Sequence, residues 1–268
     1  MDLHLKNKKV LVTGSSSGIG KAIAKILADE GAQVIVHGRN EQRAKNIMDE
    51  IIDNGGSAFM ALGDLSTDEG AQKVYDTAIR EFGQLDILVN NAGEFHARNW
   101  METTPDDWNK MYNTNVVSMI RLIRMVIPSM KEQGWGRIIQ MSSITAHQPF
   151  PLWPDYGASK AAISNLTVSL AKELAETGIT INSVSPGTTA SDGATPFFHD
   201  ALKMFDADTD NREQLEKNVV KHLLYNPTGR VGKEEDIADL VAFLSSPRTD
   251  FINGTNFRID GGASVAVS

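Results

Sequence analysis

The chain has 268 residues, a formal net charge of -8, 41% hydrophobic and 22% charged residues. That balance suits a globular chain with a large core, and its acidity argues against general binding to nucleic acid or anionic membranes. Cysteine is absent, which excludes disulfides, thiolate chemistry and cysteine-held metals and fits a reducing compartment. The opening residues Met1-Asp2-Leu3-His4-Leu5-Lys6 lack the apolar run of a signal peptide, and no apolar stretch approaches the about 18 residues of a membrane span. A cytoplasmic protein without a membrane partner is expected.

Short apolar runs alternate with longer amphipathic ones. Val10-Leu11-Val12 reads as a buried strand and Ile19–Asp29 as a helix. Val34-Ile35-Val36 is a second strand, Glu41–Asp53 a charged helix, Ala58–Leu62 a third strand and Thr67–Phe82 a third helix. Ile87-Leu88-Val89 follows as a strand, then a long helical region over about Asp106–Lys131 and a strand at Arg137–Met141. Tyr156–Glu176 is helical, Ile179–Val184 a sixth strand, Ile237–Leu244 a helix and Asn256–Ile259 a last strand. Apolar strands alternating with helices predict an α/β fold with a parallel sheet covered on both faces. No repeat or linker divides the chain, so residues 1–268 are expected to form a single domain. Thr188–Gly229 breaks the rhythm with Gly, Pro, Asp and aromatic residues, and a segment of that length predicts a lid or binding loop.

Thr13-Gly14-Ser15-Ser16-Ser17-Gly18-Ile19-Gly20 follows the first strand and opens the first helix. Glycines there allow a tight turn and close backbone approach, and the helix N-terminus offers free N–H groups to a phosphate. An acid at the end of the second strand would hold the ribose 2′-hydroxyl of NAD. Here the strand ends His37-Gly38-Arg39-Asn40, and the Arg39 fork suits a 2′-phosphate, which favours NADP(H). Asp64-Leu65 closes the third strand, where a carboxylate suits an adenine amino group; capping of the next helix is the other role, for which Ser66 is the better residue. Asn90-Asn91-Ala92-Gly93 closes the fourth strand with small residues beside a ribose and amides able to pin neighbouring strands.

Tyr156 and Lys160 stand four residues apart in a helical stretch, so they share a face. A nearby ammonium stabilises a phenolate and lowers its pKa. The pair therefore reads as a tuned acid/base, although the spacing alone equally describes a surface helix.

Taken together, these motifs resemble the short-chain dehydrogenase/reductase family. The matching runs are Thr13-Gly14-(x)3-Gly18-Ile19-Gly20, Asn90-Asn91-Ala92-Gly93, Tyr156-(x)3-Lys160, Pro186-Gly187 and Gly254-(x)5-Asp260-Gly261-Gly262. The resemblance spans residues 8 to 262, and only Thr195–Asn226 carries no pattern of the family. It implies a Rossmann-like, doubly wound seven-stranded parallel sheet in order 3-2-1-4-5-6-7. It also implies a catalytic tetrad of Asn115, Ser143, Tyr156 and Lys160, with Asn113 and Ser142 as weaker neighbours. Cofactor contacts are implied at Gly14, Ser16, Ser17, Gly18, Ile19, Gly20, Arg39, Asp64, Leu65, Asn91, Ala92 and Gly93. Further contacts are implied at Tyr156, Lys160, Pro186, Gly187, Thr188 and Thr189, the two threonines serving equally well as turn residues. Ser17 stands where NADP-preferring subgroups carry a second base, which leaves room for NAD(H).

In the implied chemistry Tyr156 passes a proton to or from the carbonyl oxygen while Ser143 holds that oxygen. Lys160 lowers the Tyr156 pKa and bonds the nicotinamide ribose, and Asn115 positions a water that leads to solvent. The substrate is a small carbonyl compound or alcohol. His147, Phe150, Trp153, Pro154, Phe197, Phe198, Met204 and Phe205 predict an apolar, aromatic pocket, with His147 and His199 read as structural. An alternative is 3-oxoacyl-acyl-carrier-protein reduction, but of the basic positions suited to that acidic partner only Arg137 is present. A cofactor-binding sensor without turnover is the reading from another class, and the complete tetrad argues against it. The resemblance implies a homotetramer or homodimer, with Met111, Met119, Ile120, Ile123 and Ile127 as interface or core residues.

Overall fold

The computed structural model describes residues 1–191, 193–207 and 211–265. Its strands are β1 (Lys9–Val12), β2 (Gln33–Gly38), β3 (Ser57–Leu62), β4 (Ile87–Asn90), β5 (Gly136–Met141), β6 (Ile179–Pro186) and β7 (Asn256–Ile259). All pair in parallel, in the order β3-β2-β1-β4-β5-β6-β7. Neighbouring residues of a strand face opposite sides of the sheet. Val10 and Val12 accordingly join a cluster with Leu27, Ile47 and Val241, while Leu11 joins one with Val74, Leu122 and Ile163. Helices α1 (Gly18–Asp29), α2 (Glu41–Asp53) and α9 (Glu234–Ser245) supply the first layer. Helices α3 (Asp68–Phe82), α5 (Ser118–Gln133) and α6 (Pro154–Glu173) supply the second. The chain order reverses between β1 and β4, and ligands of such sheets bind in the crevice beyond the strand ends at this point.

Element by element, the structure departs from expectation in four places. The helical region predicted from Asp106 to Lys131 is α4 (Pro105–Tyr112), a wide π turn at Asn113–Val117, then α5; a π turn adds a residue to the helix and rotates the side chains around it. Thr67, not Ser66, caps α3, accepting from Gly70 N at 3.0 Å. The active-site helix starts two residues earlier than predicted, with Pro154 in its first turn, and ends at Glu173. Beyond it Glu176 at φ 64° and Gly178 at φ 75° turn the chain into β6.

Residues 188–229 are not one loop. They contain α7 (Thr195–Leu202) and α8 (Arg212–Asn218), whose Phe198, Leu202 and Leu215 form a separate small core with Val219, just past α8, and Val231. The side chain of Met204 and residues 192 and 208–210 lie outside the described residues. Among the described residues no helix is long and apolar enough to cross a membrane, and no acidic, histidine or cysteine group is placed to hold a metal.

Candidate active site

Side chains just past β1 and β4 and one in β2 fix the glycine-rich turn. Thr13 Oγ1 accepts from Asn91 N and Ala92 N, both at 2.9 Å, and Asn91 Nδ2 donates to Thr13 O at 2.9 Å. Gly14 lies at φ +65°, and a Cβ there would stand 2.9 Å from Ala92 Cα. No other residue fits, because both the left-handed backbone and the close approach exclude a side chain. Gly14 N donates to His37 Nδ1 at 2.9 Å, and His37 Nε2 lies 3.1 Å from Gly63 O. Those partners require a neutral ring with its proton on Nε2. Burial agrees, pushing the His37 pKa down to about 4.

One groove is lined by Gly14, Ser16, Ser17, Gly18, Ile19, Gly20, Arg39, Asp64, Leu65, Asn91, Ala92 and Gly93. The structure thus gathers every residue expected on the adenine and pyrophosphate side. Among the lining residues that escaped the sequence reading are Arg43, in the first turn of α2, and Glu94, just past β4. Arg43 restores a second cation beside Arg39, in place of the missing base at Ser17. Asp64 has a partly local role. Its carboxylate accepts from Ser66 N at 3.0 Å, which together with a Ser66 side-chain bond holds its pKa below the usual carboxylate range.

The groove continues into a cavity of about 250 Å³ lined by Ser143, Tyr156, Lys160, Pro186, Gly187, Thr188 and Thr189, sharing Ile19, Asn91, Gly93 and Glu94 with it. Lys160 Nζ donates to Met141 O at 2.8 Å, and burial brings its pKa down to about 8. Tyr156 hydrogen-bonds Ser143, yet burial outweighs that bond and raises the phenol's pKa. Lys160 is expected from the sequence to lower the Tyr156 pKa; here Nζ sits 5.5 Å from the ring centroid, and burial raises it instead. Asn115 is fully buried at the centre of the π turn. It accepts from Glu94 N at 2.9 Å and donates to Glu94 O at 3.0 Å and Ser159 Oγ at 3.1 Å. A Cβ at Gly93 would lie 3.0 Å from Asn115 Oδ1 and 3.7 Å from Lys160 Nζ, so glycine keeps this corner open.

The weaker neighbours have structural partners. Ser142 Oγ donates to Lys160 O at 2.9 Å, and Asn113 bridges Ser66 O and Arg121. Asn256 holds His147 Nε2 at 2.8 Å. Thr189 Oγ1 turns back to Gly187 O at 3.1 Å, leaving Thr188 the better placed of the two threonines. Arg137 is no entrance residue: it is buried in β5, donating to Ser246 O and Gly178 O. Met111, Met119 and Ile123 are buried within the chain itself, while Tyr112 and Val168 are the exposed apolar residues of these helices. Arg98, not foreseen, pairs with Asp107 and with buried Asp155, whose other oxygen accepts from Tyr156 N at 2.9 Å. It ties the segment after β4 to the start of α6.

A dinucleotide groove running into a cavity with a serine, a tyrosine and a lysine marks an oxidoreductase of the dinucleotide-binding class. Residues 8–201 match the short chain dehydrogenase family. The sequence is 36% identical over 260 residues to the 3-oxoacyl-(acyl-carrier-protein) reductase FabG of Vibrio cholerae, covering 97% of this chain and 98% of that one. Among solved structures, L-sorbose reductase from Gluconobacter frateurii, complexed with NADPH and L-sorbose, superposes with a TM-score of 0.92 at 30% identity over 100% of both chains. A 7α-hydroxysteroid dehydrogenase complexed with NADH and 7-oxo glycochenodeoxycholic acid gives 0.85 at 32% identity, over 100% of this chain and 98% of that one. The chain belongs to the short-chain dehydrogenase family.

Proposed function

We propose that the protein transfers hydride between NADP(H) and a carbonyl compound or secondary alcohol, with Tyr156 as the acid/base. The observation that carries this reading is the convergence of Ser143, Tyr156 and Lys160 in a cavity continuous with the glycine-turn groove. The groove fits a dinucleotide: the first N–H groups of α1 have no partner within the helix, and Gly18, where the groove meets that helix, has no protein atom beyond its own stretch of chain nearer than 3.9 Å to the place a Cβ would take. When bound, the nicotinamide donates or accepts the hydride. Arg39 and Arg43 would hold the 2′-phosphate, and Asp64 and Leu65 would border the adenine. Ser143 orients the carbonyl oxygen and Tyr156 protonates it. Lys160 would hold the ribose hydroxyls, and a water positioned by Asn115 would link it to solvent and refill the proton.

Preference for NADP(H) over NAD(H) rests on the two arginines and the lack of an acid at the end of β2. Residues 188–229 act as the substrate lid on their own small core. We place the protein in the cytoplasm as a homo-oligomer, with Tyr112 and Val168 on the contact face. A second reading, 3-oxoacyl-acyl-carrier-protein reduction, is favoured by the Vibrio cholerae relative, but buried Arg137 offers nothing to an acidic partner. Oxidation of NADPH and NADH is the test, over a carbonyl panel that includes an acetoacetyl thioester. NADPH-dependent turnover of simple or hydroxylated ketones is expected. A dominant thioester signal would promote the second reading, and tight NADPH binding without any oxidation would indicate a sensor.

A further inference from the structure

The substrate side of the cavity has a distinctive lining. Aromatic rings run along it: Phe95 lies 5.9 Å from Tyr156, Phe150 lies 5.6 Å from Trp153, and Trp153 lies 5.2 Å from Phe197. Set among these rings are three polar groups with no assigned role. Glu94 brings a carboxylate whose side chain is 25% exposed. Thr145 is 5% exposed and its hydroxyl has no hydrogen-bond partner. The Trp153 indole N–H likewise has no acceptor. Among the described lining residues only Glu94 and Lys160 are charged, and Lys160 Nζ is already bonded to Met141 O.

From this lining, we propose that the substrate is a neutral ketone carrying hydroxyl groups near its carbonyl, not a keto acid or an acyl thioester. The proposal rests on the carbonyl-reductase reading above. Rings present apolar faces to the C–H side of such a molecule, and a carboxylate accepts hydroxyl hydrogens strongly. A buried hydroxyl or N–H without a partner is costly. Thr145 gains one by turning about Cα–Cβ toward a bound hydroxyl, and the indole gains an acceptor from the same molecule. An anionic substrate would meet the Glu94 carboxylate, which has His96 Nε2 at 3.8 Å, while Lys160, the other charged lining residue, is the one assigned to the cofactor ribose.

The test compares NADPH-dependent kcat/KM for dihydroxyacetone and a set of ketohexoses with that for acetone, 2-hexanone, a keto acid and an acetoacetyl thioester. Hydroxylated ketones should lead their deoxy counterparts by at least about tenfold, since a site built to bond hydroxyls rejects analogues that lack them. Glu94→Gln should cut that ratio by about tenfold, mainly through KM, and Thr145→Val and Trp153→Phe by smaller factors. Equal or better turnover of deoxy ketones, a preference for the keto acid or thioester, or an unchanged ratio in all three variants would overturn the inference while leaving carbonyl reduction intact. Absence of oxidation with every carbonyl would overturn both.

Discussion

The glycine-rich turn is tied by Thr13 and Asn91, just past β1 and β4, and by His37 in β2, whereas the described residues of 188–229 pack on a small core shared with Val231. Among the described residues this segment meets the rest through a parallel bridge from Thr189 to Gly232, a bond from Thr228 N to Gly261 O and aromatic contacts such as Trp153 with Phe197. The groove therefore has fixed geometry, while the proposed lid rests on a small core separate from the two that cover the sheet. That contrast suits a chemistry in which one cofactor must be held in a single register and the substrate must enter and leave.

The largest effect should come from the fixed half. Tyr156→Phe removes the proton carrier and should lower kcat by about a thousandfold or more, with NADPH affinity nearly intact. Steady-state kinetics together with fluorescence titration separate the two, and substantial residual turnover would remove Tyr156 from its role. Arg39→Asp should weaken NADPH by about a hundredfold and shift preference toward NADH, and Arg43→Ala should weaken it by about tenfold. Unchanged NADPH binding in both variants would contradict the phosphate assignment.

The lid half should respond differently. Phe198→Ala deletes a ring from the small core at a cost of about 3 kcal/mol. Hydrogen exchange over residues 195–223 should quicken and KM should rise, with less change in Tm than for Ile138→Ala in the sheet core. An equal fall in Tm for both would mean that lid and sheet unfold together.

The smallest effect is a pH dependence. Burial lowers the His37 pKa to about 4 from 6.5, so the unfolded chain binds the extra proton first as pH falls. Stability is therefore fully present above about pH 6.5 and declines toward pH 4, by about 2 kcal/mol between about pH 7 and pH 5 from this group alone. Denaturant titrations at the two pH values should show this slope in the parent and a shallower one in His37→Gln. Parallel slopes would dissociate His37 from the turn.

Strands and the cofactor motifs were legible in the sequence because both are local: apolar runs mark buried strands, and the glycines mark positions that no side chain can occupy. The π turn was not, since helical periodicity continues through it and the extra residue leaves no compositional trace. His37 and Gly14 stand 23 positions apart in the chain, so their bond depends on the pairing of β1 with β2. Arg43 hid within a charged helix. Glu94 follows the small-residue motif directly and belongs to no pattern, and only the fold places it between groove and cavity. Arg137 was misread for a related reason, because its partner Ser246 O lies 109 positions away and only the fold brings the two together. The lid resisted reading most, as its helices are short and its core is small.

The central claim is hydride transfer under Tyr156, and isotope tracing tests it most directly. With NADPH deuterated at the transferable position and a ketone that the protein turns over, deuterium should appear on the carbinol carbon and a solvent proton on the oxygen. In Tyr156→Phe the same label should stay on the cofactor. Alcohol product without deuterium on carbon, or undiminished label transfer in the variant, would contradict the account.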